Sequence, residues 1–370
     1  MLADKFYAYH VCKTKCNTNS VSQAVVRMSY VIGSFNIQKL NFASTEETKK
    51  NFARIAQIIK DERFDAIAIQ EVCSESALER IRGYLGPSWD AKYRETSKTL
   101  GNSSAQLEGY AFIWNNKRLR LVKEPKGDTA PSSVQRMDGY SISRDNTGAF
   151  IHRGSLVRPP MVVRLTPSGL LGGAPFELRL INTHIAFNSP SICADKYGQK
   201  ELRLMEFETL AKEIYRKVSM KRYGTNMPSY TILMGDYNLC LAGESGMNIP
   251  EFTCFAENRT LRTVQRDKTS LKQVQESYSY QNLNEEHDSD TMGESDTDIY
   301  SQNYDHFSYD TDYESDQGIS FLAARVEPLA STRESLEQYR KEVSDHVPIK
   351  LVVELKSGIR SLPWSTHKNN

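Results

Sequence analysis

The chain has 370 residues, 39% of them hydrophobic and 25% charged, with a formal net charge of +1 at pH 7. That length and balance suit one large domain or two smaller ones with a sizeable core, and no apolar run is long enough to span a bilayer. The cysteines are scattered, and Cys12-x3-Cys16 lacks a second pair at zinc-site spacing, so nothing demands an oxidising compartment.

In chain order, Met1 to Ser29 has no clear period and lacks the continuous apolar core of a signal peptide. It is expected to be a loosely attached extension, and a cytoplasmic setting is the default. Tyr30 to Ile37 reads as the first strand, with Asn36 near its end. Ser44-x-x-Glu47 forms a capping-box pattern ahead of Phe52, Ile55, Ile58 and Ile59 on one helical face. Phe64 to Glu71 is a second buried strand that ends in a carboxylate. A helix carrying Leu78, Ile81 and Leu85 follows, with Ser74 as its cap. Gly109 to Trp114 is another strand, preceded by Glu108, and Lys123 to Gly154 reads as a polar surface insertion.

Ser155 to Leu165 and Phe176 to Phe187 look like a strand pair, the first carrying Arg158 and the second His184. Glu201 to Val218 repeats apolar residues at helical spacing. Tyr230 to Met234 is a short strand without charge that stops at Gly235 and delivers Asp236 and Asn238. Such a buried strand holds polar groups rigidly over a cleft. A poorly patterned region follows, then an acidic tract. Between Lys272 and Arg325 there are thirteen acids and no Lys or Arg, which leaves about +14 on the remainder. A basic body suits a polyanionic partner. The tract itself reads as a disordered loop, inert or acting as a tethered competitor for the cleft. Val343 to Pro348 introduces a last strand, Ile349 to Leu355, before a polar tail.

Strands and helices alternate without a dinucleotide fingerprint or a phosphate-binding P-loop, which argues against nucleotide-cofactor and triphosphate chemistry. Mixed strands with flanking helices fit a layered sandwich. The strand ends present Asn36, Glu71, Glu108, Arg158, His184, Asp236, Asn238, Asp305 and the pair Asp345-His346. Each alone has a plain structural reading: Asn36 as a turn residue, Glu71 as a surface carboxylate, His184 as a core histidine. Together they form a chemical set. Carboxylates and an amide carbonyl suit a hard cation better than zinc. Two imidazoles can divide the proton work of a hydrolysis, each held in its tautomer by a neighbouring acid. An arginine can stabilise phosphoryl charge. These are the parts of metal-assisted phosphoester hydrolysis.

Five ordered motifs carry a resemblance: Ser34 to Ile37, Ile69 to Val72, Asn182 to His184, Gly235 to Asn238, and Ser344 to Pro348. They resemble the endonuclease/exonuclease/phosphatase superfamily, and the deoxyribonuclease I branch most closely. Leu100 to Ser103 followed by Glu108 to Phe112, Val157 to Pro160, and Asn303 to Asp305 resemble that branch in particular. The resemblance implies an α/β fold, a four-layered α/β sandwich of two packed mixed sheets flanked by helices. It would cover residues 30–356, with an acidic insertion near 276–304 and a polar tail over 357–370.

The resemblance also implies a phosphodiesterase dependent on magnesium, with manganese or calcium as alternatives, that cuts a DNA backbone with little base selectivity. On it, His184 would be the general acid supported by Glu108, and His346 the general base supported by Asp305, with Asp310 a competitor for that pairing. Asp236 and Asn238 would join the catalytic set. Glu71, Asn36, Asp345 and Asp236 would hold the metal, and Arg158, Asn36 and Asn238 the phosphate. Two alternatives stay open. One is a phosphoesterase of the same fold for RNA, a phosphoinositide, a sphingolipid or a DNA-end lesion; the other is a binding module with a decayed site. The chain departs from the secreted members of the branch in lacking a recognisable secretion signal, and Cys240 is not in the family's cysteine position.

Overall fold

Two mixed sheets pack face to face, with helices on their outer sides, in the computed structural model of the chain. The structure describes residues 28–42, 50–96, 108–123, 133–137, 143–145, 148–150, 156–169, 176–187, 198–223, 227–241, 249–272, 299–315, 319–327 and 333–355. Most of the expected N-terminal extension, the capping box at Ser44, most of the acidic tract and the polar tail lie outside these residues.

The first sheet contains β1 (Met28–Leu40), β2 (Ala66–Val72), β3 (Trp89–Glu95), β4 (Gly109–Asn115), β15 (Ile319–Arg325) and β16 (Ile349–Leu355), in the order β15-β16-β1-β2-β4-β3. The second contains β5 (Leu119–Leu121), β6 (Val134–Arg136), β9 (Met161–Pro167), β10 (Glu177–His184), β11 (Ser229–Asp236), β12 (Phe252–Ala256), β13 (Arg259–Val264) and β14 (Asp305–Asp310). Its path is β12-β13-β14-β11-β10-β9-β5, with β6 also paired to β9. A separate hairpin joins β7 (Ser143–Asp145) to β8 (Gly148–Phe150).

Residues alternate along each strand, so the two faces of each sheet find different partners. Ile32, Ala68, Phe112, Leu180, Ile232 and Phe307 meet between the sheets in one buried core. Phe35, Ile67, Ile69 and Ile113 face outward onto helices α1 (Phe52–Asp61) and α2 (Glu75–Leu85). Val162, Ile181 and Leu233 face outward onto α3 (Gln199–Thr209), which continues through a wider turn at Leu210–Tyr215 into Arg216–Met220. The parallel pairs β1–β2 and β10–β11 are buried on both faces, which explains the nearly uncharged sequences of β2 and β11. β10 also buries Glu177 and Arg179; Glu177 pairs with Arg179 and with Arg164 on β9. Asn51 caps α1 by accepting from the Arg54 amide at 3.0 Å, and Ser74 caps α2 as expected.

Several regions fold differently from their reading. The stretch read as a surface insertion supplies β6, which extends the second sheet alongside β9, and the β7–β8 hairpin. The poorly patterned region after β11 is the edge hairpin β12–β13. β3, β15 and α4 (Arg333–Glu342) add to the expected elements. The first strand begins at Met28 and continues to Leu40. Residues 299–304, read as the end of the acidic insertion, are tied down: Tyr300 is buried and bridges to Leu271. No helix among the described residues is long and apolar enough to cross a membrane.

Register then sets the geometry of one end of the sandwich. His184 on β10 pairs with Asp236 on β11, and Asp236 pairs with Asp305 on β14, so three polar residues lie abreast on neighbouring strands. The neighbours Thr183 and Gly235 approach too closely for a side chain. Gly235 has φ +145°, and a Cβ there would lie 1.9 Å from the Thr183 carbonyl oxygen.

Candidate active site

Inward-facing positions are apolar along most of each central strand and turn polar at the same end. On β1, Tyr30 and Ile32 give way to Ser34 and Asn36; on β2, Ala66 and Ala68 give way to Gln70. On β10, Leu178 and Leu180 give way to Asn182 and His184; on β11, Met234 gives way to Asp236. The first polar layer is a floor. Gln70 Nε2 donates to Asn182 Oδ1 at 2.7 Å and to Ser34 Oγ at 3.1 Å. Asn182 Nδ2 donates to the carbonyls of Ile69 and Ala111, both at 3.0 Å. All four side-chain contacts are buried, where a satisfied network fixes one arrangement of the two sheets.

Above the floor, Asn36 turns its amide nitrogen toward two carboxylates, donating to Glu71 Oε1 and Asp236 Oδ2, each at 3.0 Å. Its oxygen accepts from the Gln38 amide at 3.0 Å, which fixes the orientation of the side chain. Gln38 Nε2 reaches Asp345 Oδ2 at 2.8 Å, and the Lys39 amide reaches Glu71 Oε2 at 3.1 Å. Gln38, Lys39, Glu71 and Asn238 all adopt left-handed φ angles between 40° and 56°. Four such residues in one cleft are a concentration of backbone strain of the kind that accompanies functional sites.

The two imidazoles converge on one oxygen. His184 Nε2 lies 3.7 Å from Asp236 Oδ2, and His346 Nε2 lies 3.8 Å from the same atom. His346 Nδ1 meets Asp305 Oδ2 at 2.7 Å, and Thr269 Oγ1 donates to that same oxygen at 2.6 Å. Asp310, the competing acid, is engaged instead by Arg259 on the edge hairpin. Burial alone would discharge His346, but Asp305, Asp236 and Asp345 outweigh it and hold the ring well above its ordinary value. His184 is held well below its ordinary value by burial first, then by Arg158 and His346. Burial also pushes Asp236 above the usual carboxylate range.

The sequence matches no family model and no curated protein. Solved structures are similar in fold. One is ANGEL2, a 2',3'-cyclic phosphatase in complex with adenosine-2',3'-vanadate, at 14% identity over 89% of this chain and 96% of that chain, TM-score 0.51. Another is an endonuclease/exonuclease/phosphatase family protein from Bacteroides thetaiotaomicron, at 15% identity over 89% and 99% of the two chains, TM-score 0.48. The fold is the α/β sandwich of two mixed sheets flanked by helices that the sequence resemblance implied. At these identities the likeness concerns architecture, and the chemistry must come from this chain's own residues.

Within this sandwich, the remaining expected residues surround His184. Glu108 Oε2 is 3.7 Å from His184 Nδ1, beyond hydrogen-bond range, and 2.9 Å from Arg158 Nη2. Arg158 therefore holds Glu108, and the His184 Nδ1 has no hydrogen-bond partner among the described residues. Asn238 donates to the Ile185 carbonyl at 2.7 Å, and its own amide donates to Asp236 Oδ1 at 2.8 Å, so it braces both β10 and Asp236.

Residues that no sequence pattern exposed support this ring. Glu206 on α3 is buried and accepts from the Val157 amide at 2.8 Å and from the Ala186 amide. It thus links the neighbour of Arg158 to the chain just past His184, and burial pushes its carboxyl up to about 7. Gln38, Gln70, Thr269 and Arg203 are the others. Gln38 and Gln70 sit in or beside the strand-end motifs without a chemical signature of their own, Thr269 lies in a stretch without a period, and Arg203 lies on a helix far from the motifs.

For a cation, the donor chemistry fits. Glu71 and Asp236 converge on Asn36, and Glu71 is only half-buried, so oxygen donors meet where solvent can enter. Oxygens of Asp236 and Asp305 and a nitrogen of His346 also lie within 4.8 Å of one another. Oxygens of both sets already accept hydrogen bonds, but Asp305 is fully buried whereas Glu71 is partly open to solvent, which makes Glu71 and Asp236 the better seat.

Proposed function

We propose that this chain is a divalent-cation-dependent phosphodiesterase that hydrolyses a nucleic-acid backbone, DNA in the first instance. The observation that carries the reading is the pair of imidazole Nε2 atoms, each within 4 Å of Asp236 Oδ2. A phosphate lying against the two rings would have one proton acceptor and one proton donor within reach. Magnesium is the cation the oxygen-rich donors favour, with manganese or calcium as substitutes, and Glu71 and Asp236 would hold it, with Asp345 close by. When bound, it would supply positive charge to the phosphoryl oxygens and to Asp236.

The protein's own groups do the rest. Asp305 fixes the His346 ring with Nδ1–H directed at the carboxylate and Nε2 toward the cleft, and its charge makes His346 the more basic imidazole. His184, depressed by burial and Arg158, is the more acidic of the two once protonated. These shifts place the resting proton on His346 and leave His184 neutral, the reverse of the roles the resemblance implies. A cation held by Glu71 and Asp236 would offset the negative charge that raises His346 and so favour its accepting a proton from water, with His184 then the donor to the leaving oxygen. Asn36 holds the two acidic ligands together through its amide nitrogen. Arg158, beside Glu108, offers a cation to a phosphoryl oxygen, and Asn238 holds Asp236 in place. The charge of about +14 outside the acidic tract supports a polyanion as partner.

Supercoiled plasmid incubated with the protein and magnesium tests the reading. Nicking that is abolished by a chelator and by His346→Ala is expected. Hydrolysis of bis(p-nitrophenyl) phosphate without plasmid nicking would overturn DNA as substrate, and inactivity on both would overturn the enzyme.

A further inference from the structure

Phe187 lies three residues beyond His184 and is 48% exposed, although it sits beside the polar cleft and not over the core. An isolated exposed aromatic is ordinary. This one is held. Arg203 from α3 lies across the ring with its Cζ 4.8 Å from the centroid, and its Nη1 donates to the Phe187 carbonyl at 2.7 Å. Tyr304 meets the ring at 61° with centroids 6.3 Å apart. Tyr304 is itself anchored, since its carbonyl accepts from the Tyr237 amide at 2.8 Å and its next residue is Asp305. The two rings are therefore tied by backbone to the two imidazole positions, one just past His184 and one just before the acid that holds His346.

Arg203 is 7% exposed, its Nε has no hydrogen-bond partner among the described residues, and the groups whose charge acts on it include Tyr304, Cys240 and Asp236. A nearly buried guanidinium spent on fixing one half-exposed ring is a costly arrangement if that ring only meets water. It is a sensible one if the ring is a platform, because a ring ordered beforehand loses little freedom when a ligand lands on it.

We propose that Phe187 and Tyr304, with Arg203 behind them, form a subsite for the planar base of the nucleotide whose phosphate sits between His184 and His346. The inference rests on the nucleic-acid reading above and narrows it to strands whose bases are free to unstack. Base–aromatic stacking is tolerant of sequence, since every base has a π face. Little base selectivity is thus compatible with a strong demand that some base be present.

The test is a binding measurement that does not depend on turnover. A short single-stranded oligonucleotide carrying 2-aminopurine is titrated with the full-length protein in the presence of chelator, and its fluorescence is followed. Saturable quenching is expected. Phe187→Ala should weaken binding about 5- to 100-fold, and Phe187→Tyr should restore it. The same oligonucleotide with an abasic residue at the reporter position, followed through an end label, should bind both proteins equally. No quenching, equal quenching by Phe187→Ala, or an equal loss on the abasic strand would overturn the subsite. Failure of the parent reading would show separately, as absence of nicking by a protein that still quenches.

Discussion

His184 and His346 reach the same Asp236 oxygen at nearly equal distances, but the chain holds them by different means. His346 is locked: Asp305 takes its Nδ1 at 2.7 Å, and Thr269 takes the same carboxylate oxygen from the other side. His184 is placed by its strand register, while its nearest acid, Glu108, leans away onto Arg158. One half of the cleft is organised by hydrogen bonds to the ring, the other by the backbone that carries the ring. A pre-set bond fixes tautomer and basicity together, whereas a backbone placement leaves the ring free to make its bond when the substrate arrives. The difference teaches where each half should be sensitive: the His346 half to loss of a side chain, the His184 half to disturbance of the main chain.

The sharpest way to break the comparison is Asp305→Asn. It removes the charge and the acceptor that define His346, and kcat on a phosphodiester should fall about 10²–10⁴-fold with the fold intact, as checked by steady-state kinetics and circular dichroism. Next comes Gly235→Ala, which strikes the strand pair under His184. With a Cβ 1.9 Å from the Thr183 carbonyl and φ at +145°, the variant should lose about 3 kcal/mol or more in urea unfolding.

Glu206→Gln sharpens the contrast through pH. The Glu206 carboxyl lies at about 7 in the folded chain against an ordinary 4.5, so its folded value is raised. Below the ordinary value both states are protonated and burial costs nothing. As pH rises toward 7 the unfolded state ionises first, and stability is lost, up to about 3 kcal/mol. Measured from pH 5 to pH 8, wild type should therefore lose stability relative to Glu206→Gln. A flat difference would refute the raised carboxyl. The smallest effect is expected for Glu108→Gln. Since Glu108 makes no hydrogen bond to His184, kcat should drop only about tenfold, far less than for Asp305→Asn.

Much of this was legible in the sequence, and the reasons are local. β2 and β11 are runs without charge that stop at a carboxylate, so both the strands and their polar ends can be read without knowing what they face. His184 and the Asp345-His346 pair stand out because imidazoles are rare beside apolar runs. What could not be read was pairing across the sheets. Gln70 and Asn182 both lie in the strand-end motifs, but they are 112 residues apart and nothing in either motif says that they meet. Thr269 lies in a stretch without a period, and Arg203 reads as a solvent-facing helical position although it is nearly buried. The β12–β13 hairpin escaped for another reason. Arg259 and Arg262 interrupt its apolar pattern, and only the fold shows that Asp310 and Glu314 neutralise them.

The amide floor beneath the cleft has a mechanical consequence. Asn182 grips two main-chain oxygens of the facing sheet while Gln70 grips Asn182, so the sandwich is latched at its reacting end. At the other end Arg118, just ahead of β5, bonds Asp65 and the Ser29 carbonyl of the first sheet, and the stretch between is apolar. Oily surfaces can slide a little without losing much, but paired amides cannot. When the molecule breathes, the half-exposed Arg118 tie should yield before the buried amides, and the gap between the two imidazoles should be the last dimension to change.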